Sequence, residues 1–202
     1  MTRAEARERT DIVWMVIAGG IAMVAIAAEG SARFARTFTP AGIAWSFPIE
    51  ETEVTAAITA DGEPVSGAAT ALTVHVTDVN VVSAVSIGAS LVLQVLIALA
   101  IIGLVLSLGA VFLRGRFFVP ATARLIDAIA LVLAFGTIVV LGLDTFGRNG
   151  VLAALGQGEG EPLHPATFWS YAPVWFAALA IGVLGVAFRR GLRLQRDTEG
   201  LV

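Results

Sequence analysis

Residues 83–113 read SAVSIGASLVLQVLIALAIIGLVLSLGAVFL, with no charged side chain anywhere in the block. A hydrocarbon layer of ~30 Å takes ~20 helical residues to cross at ~1.5 Å each. The block is therefore long enough to span a bilayer and either tilt or project a turn or two beyond it on its outer side. Its apolar residues run continuously instead of alternating with period two, which argues against β-barrel strands. Three further blocks share this character, at 12–28, 125–146 and 168–188. Composition agrees: 57% of the 202 residues are hydrophobic, 14% are charged and the mean hydropathy is +0.85. Soluble domains run nearer ~45–50% apolar and ~25% charged, so an integral membrane protein is expected. With no cysteine in the chain, disulfides, zinc–thiolate sites, iron–sulfur clusters and thiol redox chemistry are all excluded.

Charge sets the orientation. All 13 basic residues are arginine, and ten fall into three short segments: Arg3, Arg7 and Arg9 before the first block, Arg114, Arg116 and Arg124 between the second and third, and Arg189, Arg190, Arg193 and Arg196 after the fourth. Only Arg33, Arg36 and Arg148 lie between these clusters. By the positive-inside rule the tails 1–11 and 189–202 and the loop 114–124 face the cytosol, while loops 29–82 and 147–167 face outward. An odd number of spans would put one arginine cluster on the wrong side. A cleaved signal peptide is the alternative for the first block, with Ala25-Ile26-Ala27 as small residues of the cleavage type. Against it, Arg3, Arg7 and Arg9 are balanced by Glu5, Glu8 and Asp11.

Loop 29–82 is the one soluble piece large enough to fold. Near 52–60 the residues alternate, with Val54, Ala56, Ile58 and Ala60 on one face; near 69–79, Leu72, Val74 and Val76 oppose Ala71, Thr73, His75 and Thr77. Both are strand patterns. Asp61-Gly62 supplies a turn, Pro64 to Gly67 extends the connection, and a lone hairpin is marginal in water. Its apolar face is therefore expected to rest on the helices or on extended chain such as 45–49. The expected fold is mainly α: an up-down-up-down bundle of four transmembrane helices with a small extracytoplasmic β-hairpin cap in the first outer loop. Loop 147–167 is glycine-rich, with a short interfacial helix as an option at 151–155.

Buried ionisable groups mark transport or proton relays, because a charge at the bilayer centre costs ~2.5–3.5 kcal/mol on insertion scales. Asp127 and Asp144 lie near opposite ends of the third block, and i,i+3 and i,i+4 pairs with Arg124 and Arg148 account for them. Gln94, Ser107, Asp127 and Thr137, together with Ser90, are the candidate intramembrane polar contacts, expected to act as interhelical hydrogen bonds. Gly19, Gly20, Gly103, Gly109, Gly136, Gly182 and Gly185 permit close helix approach. Arg114, Arg116, Phe117, Phe118, Trp169 and Tyr171 are expected to anchor the helices at the lipid interface. His75 and His164 both fall in outward loops, which removes a bis-histidine haem between spans. No phosphate loop, GxSxG elbow or HExxH is present. No catalytic residue, metal or cofactor is expected.

The middle segment, Leu113-Arg114-Gly115-Arg116-Phe117-Phe118 followed by Arg124-Leu125, resembles the cytoplasmic loop of a bacterial four-span family called domain of unknown function 2975. The residues 119–123, Val-Pro-Ala-Thr-Ala, depart from the Asn or Ser often found there in that family. The resemblance covers about residues 10 to 190. It implies the four-span plan and no reaction, in proteins often encoded near small helix-turn-helix regulators. The expected function is accordingly a non-enzymatic multi-pass protein of the bacterial cell membrane, with both termini cytoplasmic, acting through a membrane or regulatory protein partner or as a stress-related component. The lipid bilayer is its surrounding partner, a homo-oligomer is open, and nucleic acid is not expected. The alternative is a small transporter or channel subunit. A lipid-active or quinone-linked enzyme is weaker still, for want of a His, Asp or Ser cluster.

Overall fold

In the computed structural model the described residues are 3–60, 63–115, 119–156 and 165–199. Four helices, α1 (Arg3–Thr37), α2 (Val81–Leu113), α3 (Pro120–Ala154) and α4 (Pro165–Glu199), are joined between α1 and α2 by a three-stranded antiparallel sheet: β1 (Phe38–Thr39), β2 (Gly42–Ala60) and β3 (Glu63–Val76). All four helices are long and apolar enough to cross a membrane. Each is longer than the apolar block that announces it. α1 continues through residues 29–37 and α3 through 147–154, which hydropathy alone assigns to outer loops, and α4 continues into the C-terminal tail. The reason is physical: hydropathy reports length in contact with hydrocarbon, whereas a helix persists wherever its backbone bonds and packing favour it.

The helix starts have local causes. Asn80 is extended, and its side chain accepts a hydrogen bond from the Ser83 backbone N–H at 2.9 Å, capping α2. Pro120 occupies the first turn of α3 after extended Val119 (φ −124°, ψ 152°), a position where its missing N–H is harmless. The proline thus opens the helix, five residues before the expected span at 125.

α2 lies between α1 and α3, and α3 packs in turn along α4. Glycines set these seams. A side chain at Gly19 would meet Leu106 at 2.6 Å, and one at Gly30 would meet Val95. The two contacts move in opposite directions along the chains, so α1 and α2 are antiparallel. On the other face of α2, Ile97 fills the space over Gly136 and Ile87 the space over Gly147, each 2.5 Å from where a Cβ would stand, while Ser83 covers Gly150. Gly103 and Gly109 meet Met23 and Met15, Gly182 meets Ala130 and Gly185 meets Asp127, but Gly20 has nothing within 4 Å. Gly147 and Gly150, read from composition as loop residues, are seam residues of a continuous helix.

β2 and β3 form one long hairpin, in register from Ile43 opposite Val76 to Ala60 opposite Glu63, with irregularities between Pro48 and Thr52 and between Thr55 and Thr59. Two expectations are corrected. Residues 45–49 are the first half of the same strand as 52–60. Pro64 and Gly67 do not extend a connection: they are paired in β3 with Thr59 and Val54. Pro48, which has no N–H to donate, sits at the first irregularity. Asp61 and Gly62 lie outside the described residues. At the sheet's foot, Gly42 has φ +117° and a Cβ there would strike the Val76 carbonyl oxygen at 2.6 Å, so only glycine makes this turn without strain.

The hairpin docks by its base. Ile43 and Val76 are buried together with Ile87 and Leu91 of α2 and Val151 of α3, and Phe38, Trp45, Phe47 and Val74 pack around them. The alternation read for β3 has the correct face, but cover fades with distance from the helices: Val76 is 5% exposed and Leu72 53%.

Candidate functional site

One polar chain ties all four helices together. Arg33 of α1 donates from Nη1 to Gln94 Oε1 at 3.0 Å, and Gln94 Nε2 donates to Ser90 Oγ at 3.1 Å, both on α2. Ser90 donates to Asp144 Oδ1 on α3, and the Tyr171 hydroxyl of α4 donates to Asp144 Oδ2. This chain thus places one hydrogen bond across each adjacent helix pair. A cation stands at one end and a carboxylate near the other, with an amide and a hydroxyl relaying between them. Ser90 is only 1% exposed, so its hydroxyl depends on these partners. Bonds to an ionised acceptor are the stronger kind.

A second polar contact lies at the other end of α3 and α4, where Arg189 Nη1 donates to both carboxylate oxygens of Asp127. Gly185, one turn before Arg189, leaves room for the Asp127 carboxylate. The partner of Asp127 thus comes from the neighbouring helix instead of the local Arg124 expected from spacing, and the Asp144 oxygens accept from Ser90 and Tyr171. Because the Asp127 and Arg189 side chains are 36% and 45% exposed, the pair is screened. Arg189→Ala is expected to lower stability by no more than ~1 kcal/mol, read as the shift in unfolding midpoint. A larger loss would mean the pair is shielded from water.

The two polar sites are evenly separated. Asp127 and Asp144 are 17 residues apart on α3, and Tyr171 and Arg189 are 18 apart on α4, or ~26–27 Å at 1.5 Å per residue. Apart from these contacts, the other expected polar residues stay within their own helices. Ser107 donates to the Gly103 carbonyl at 2.8 Å and Thr137 to the Leu133 carbonyl at 2.6 Å. Both are the back-bonds by which a hydroxyl satisfies itself inside a helix, in place of the interhelical bonds expected of them.

Of the expected interface anchors, Arg114 is exposed at the end of α2 and Trp169 is exposed near the start of α4. Tyr171 serves the polar chain. Arg116, Phe117 and Phe118 lie outside the described residues, as does His164, while His75 Nδ1 is 3.3 Å from Thr39 Oγ1. Among the described residues no three His, Cys, Asp or Glu side chains gather as a metal site. Sequence reasoning missed Arg33 because it ended α1 at residue 28; a helix extended by about one and a half turns would have brought Arg33 level with Gln94. Compared with protein-family models, curated proteins and solved structures, the chain matches none.

Proposed function

We propose that this chain is a non-enzymatic, multi-pass protein of the bacterial cytoplasmic membrane, with both termini cytosolic and the sheet displayed outside, acting through a protein partner. The observation that carries this is the pair of polar levels ~26 Å apart, close to the ~30 Å of a hydrocarbon core, with Arg189 at the level nearer the arginine-rich ends. Between the levels Thr137 bonds back into its own helix, which supports a packed bundle over a hydrated path. Helix segments beyond the outer level, 81–89 and 145–154, then form the pedestal of the cap. β3 is an edge strand, whose open row of backbone groups suits an extended partner segment.

The cysteine-free chain allows a test without background. In intact cells, a membrane-impermeant maleimide should label Asp78→Cys, and it should label Arg193→Cys only after lysis. The opposite pattern would overturn the orientation. The convergence of Gln94 on Ser90 and Asp144 favours a second reading, a small transporter or channel subunit. Purified protein in proteoliposomes is expected to give no solute or ion flux; flux abolished by Gln94→Leu would establish the second reading instead.

A further inference from the structure

The two edges of the sheet are built differently. The foot of β2 is covered by β1, through Phe38 opposite Ile43 and Thr39 opposite Gly42. Above that, β2 carries Pro48, which offers no N–H, and Glu50, Glu51 and Glu53. Both irregularities of the hairpin also fall on β2: residues 49–51 stand opposite Thr70 alone, and residues 56–58 opposite Val65 alone. Prolines, charges and bulges are the features with which proteins blunt an open edge. From Gly67 to Val76, β3 has none of them. That stretch, GAATALTVHV, contains no Asp, Glu, Lys, Arg or Pro. It runs without an inserted residue, and among the described residues it pairs with β2 only. Alternate backbone groups along it are therefore open to another strand. Charge says what can fill the place. Residues 38–78 include Glu50, Glu51, Glu53, Asp61, Glu63 and Asp78 but no Lys or Arg, although the whole chain carries a net charge of only −3.

We propose that the 67–76 edge of β3 binds an extended, basic segment of an extracytoplasmic protein, which joins the sheet as a fourth strand. The inference rests on the partner reading above and gives that partner its chemistry. Leu72, which is 53% exposed, shares one face of β3 with Val74 and, by alternation, with Ala68. Ala68 stands opposite exposed Glu53. An added strand would therefore set an apolar side chain beside Leu72 and a Lys or Arg beside Ala68. From there Glu53 is two strand spacings away, ~9–10 Å, with only the alanine methyl between. A lysine and a glutamate reaching toward each other span that distance. Main-chain bonds supply the affinity of such a strand, and its side-chain positions the selectivity. A second copy of this chain would bring the same acidic residues to the same place, and like charges across an interface reject a partner.

The test is amide hydrogen exchange of the full chain in phosphatidylcholine nanodiscs, with and without a synthetic peptide of about ten residues that alternates valine with lysine or threonine. The peptide should slow exchange in residues 67–76 and leave residues 44–53 unchanged. Methylating all its backbone nitrogens should weaken binding at least ~10-fold, the loss expected for two or more ladder bonds. Glutamate in place of its lysines should weaken binding by at least ~10-fold as well. Glu53→Gln in the protein should weaken it ~3-fold, as for one exposed ion pair. No protection, protection of 44–53 in place of 67–76, equal binding by the methylated or the glutamate peptide, or unchanged affinity in Glu53→Gln would each overturn the proposal. Maleimide labelling separates this failure from that of the reading beneath it. No protection, with Asp78→Cys labelled in intact cells, refutes the edge site alone. Protection, with Asp78→Cys labelled only after lysis, refutes the outward placement of the sheet and with it the extracytoplasmic partner.

Discussion

Gly150→Leu is expected to separate α2 from α3 and to undock the sheet with them. A Cβ at this position would fall on the Ser83 side chain, and the Asn80 amide that caps α2 stands 3.1 Å away. The next residue, Val151, is fully buried beneath Ile43 and Val76, so α3 has no free direction in which to yield. Overpacking a tight contact costs about 1–3 kcal/mol, and here the upper end applies because cap, seam and sheet share the site. For a chain of this size ~3 kcal/mol corresponds to a fall of roughly 6–12 °C in unfolding midpoint, measurable in lipid nanodiscs. Gly142→Leu is the control. Its Cβ would meet nothing within 4 Å, and losing a helix-interior glycine is neutral or mildly stabilising. Equal effects from the two substitutions would show that the seam is not set by close approach at Gly150.

The second large effect is expected from Asp144→Ala. This removes the acceptor for two donors on two other helices and leaves the buried Ser90 hydroxyl and the Tyr171 hydroxyl without it. Hydrogen bonds within membrane bundles average ~0.6 kcal/mol and reach ~1.7, whereas bonds to charged groups in general are worth ~1.5–3. The near-complete burial of Ser90 selects the upper part of the first range for each bond, so Asp144→Ala should cost ~2–4 kcal/mol. Ser90→Ala and Tyr171→Phe should each cost ~1 kcal/mol, and double-mutant cycles pairing either with Asp144 should return a positive coupling. If Asp144→Ala proved no more damaging than Asp127→Ala, the polar chain through Asp144 would be incidental to the fold.

How much of this was legible in the sequence depends on range. The helices announce themselves through uninterrupted apolar runs, and the strands through alternation, because each signal lives within one element. The ends of the elements do not. Ser31, Arg33 and Arg36 look like loop chemistry, yet they ride on α1; Gly147-Arg148-Asn149-Gly150 looks like a turn, yet its glycines let α2 approach. The polar site was half visible: Gln94, Ser90, Asp127 and Asp144 stand out against an apolar background. Their partners on other helices come from 54 to 62 positions away or, for Tyr171 on Asp144, from 27. Local spacing cannot reach so far, and it offered Arg124 for Asp127 in place of Arg189. Tyr171 fits the role of a belt aromatic equally well until the neighbouring helix is in view.

On the membrane reading proposed above, the fixed interval between Asp127 and Asp144 makes α3 a ruler. A rigid helix cannot shorten or lengthen that interval, so a bilayer of matching thickness accepts both ends at no penalty and a thicker one forces an end under the surface. The mismatch amounts to fractions of a kcal/mol per ångström. In a cell whose membrane varied in thickness, this would sort the protein toward the thinner regions.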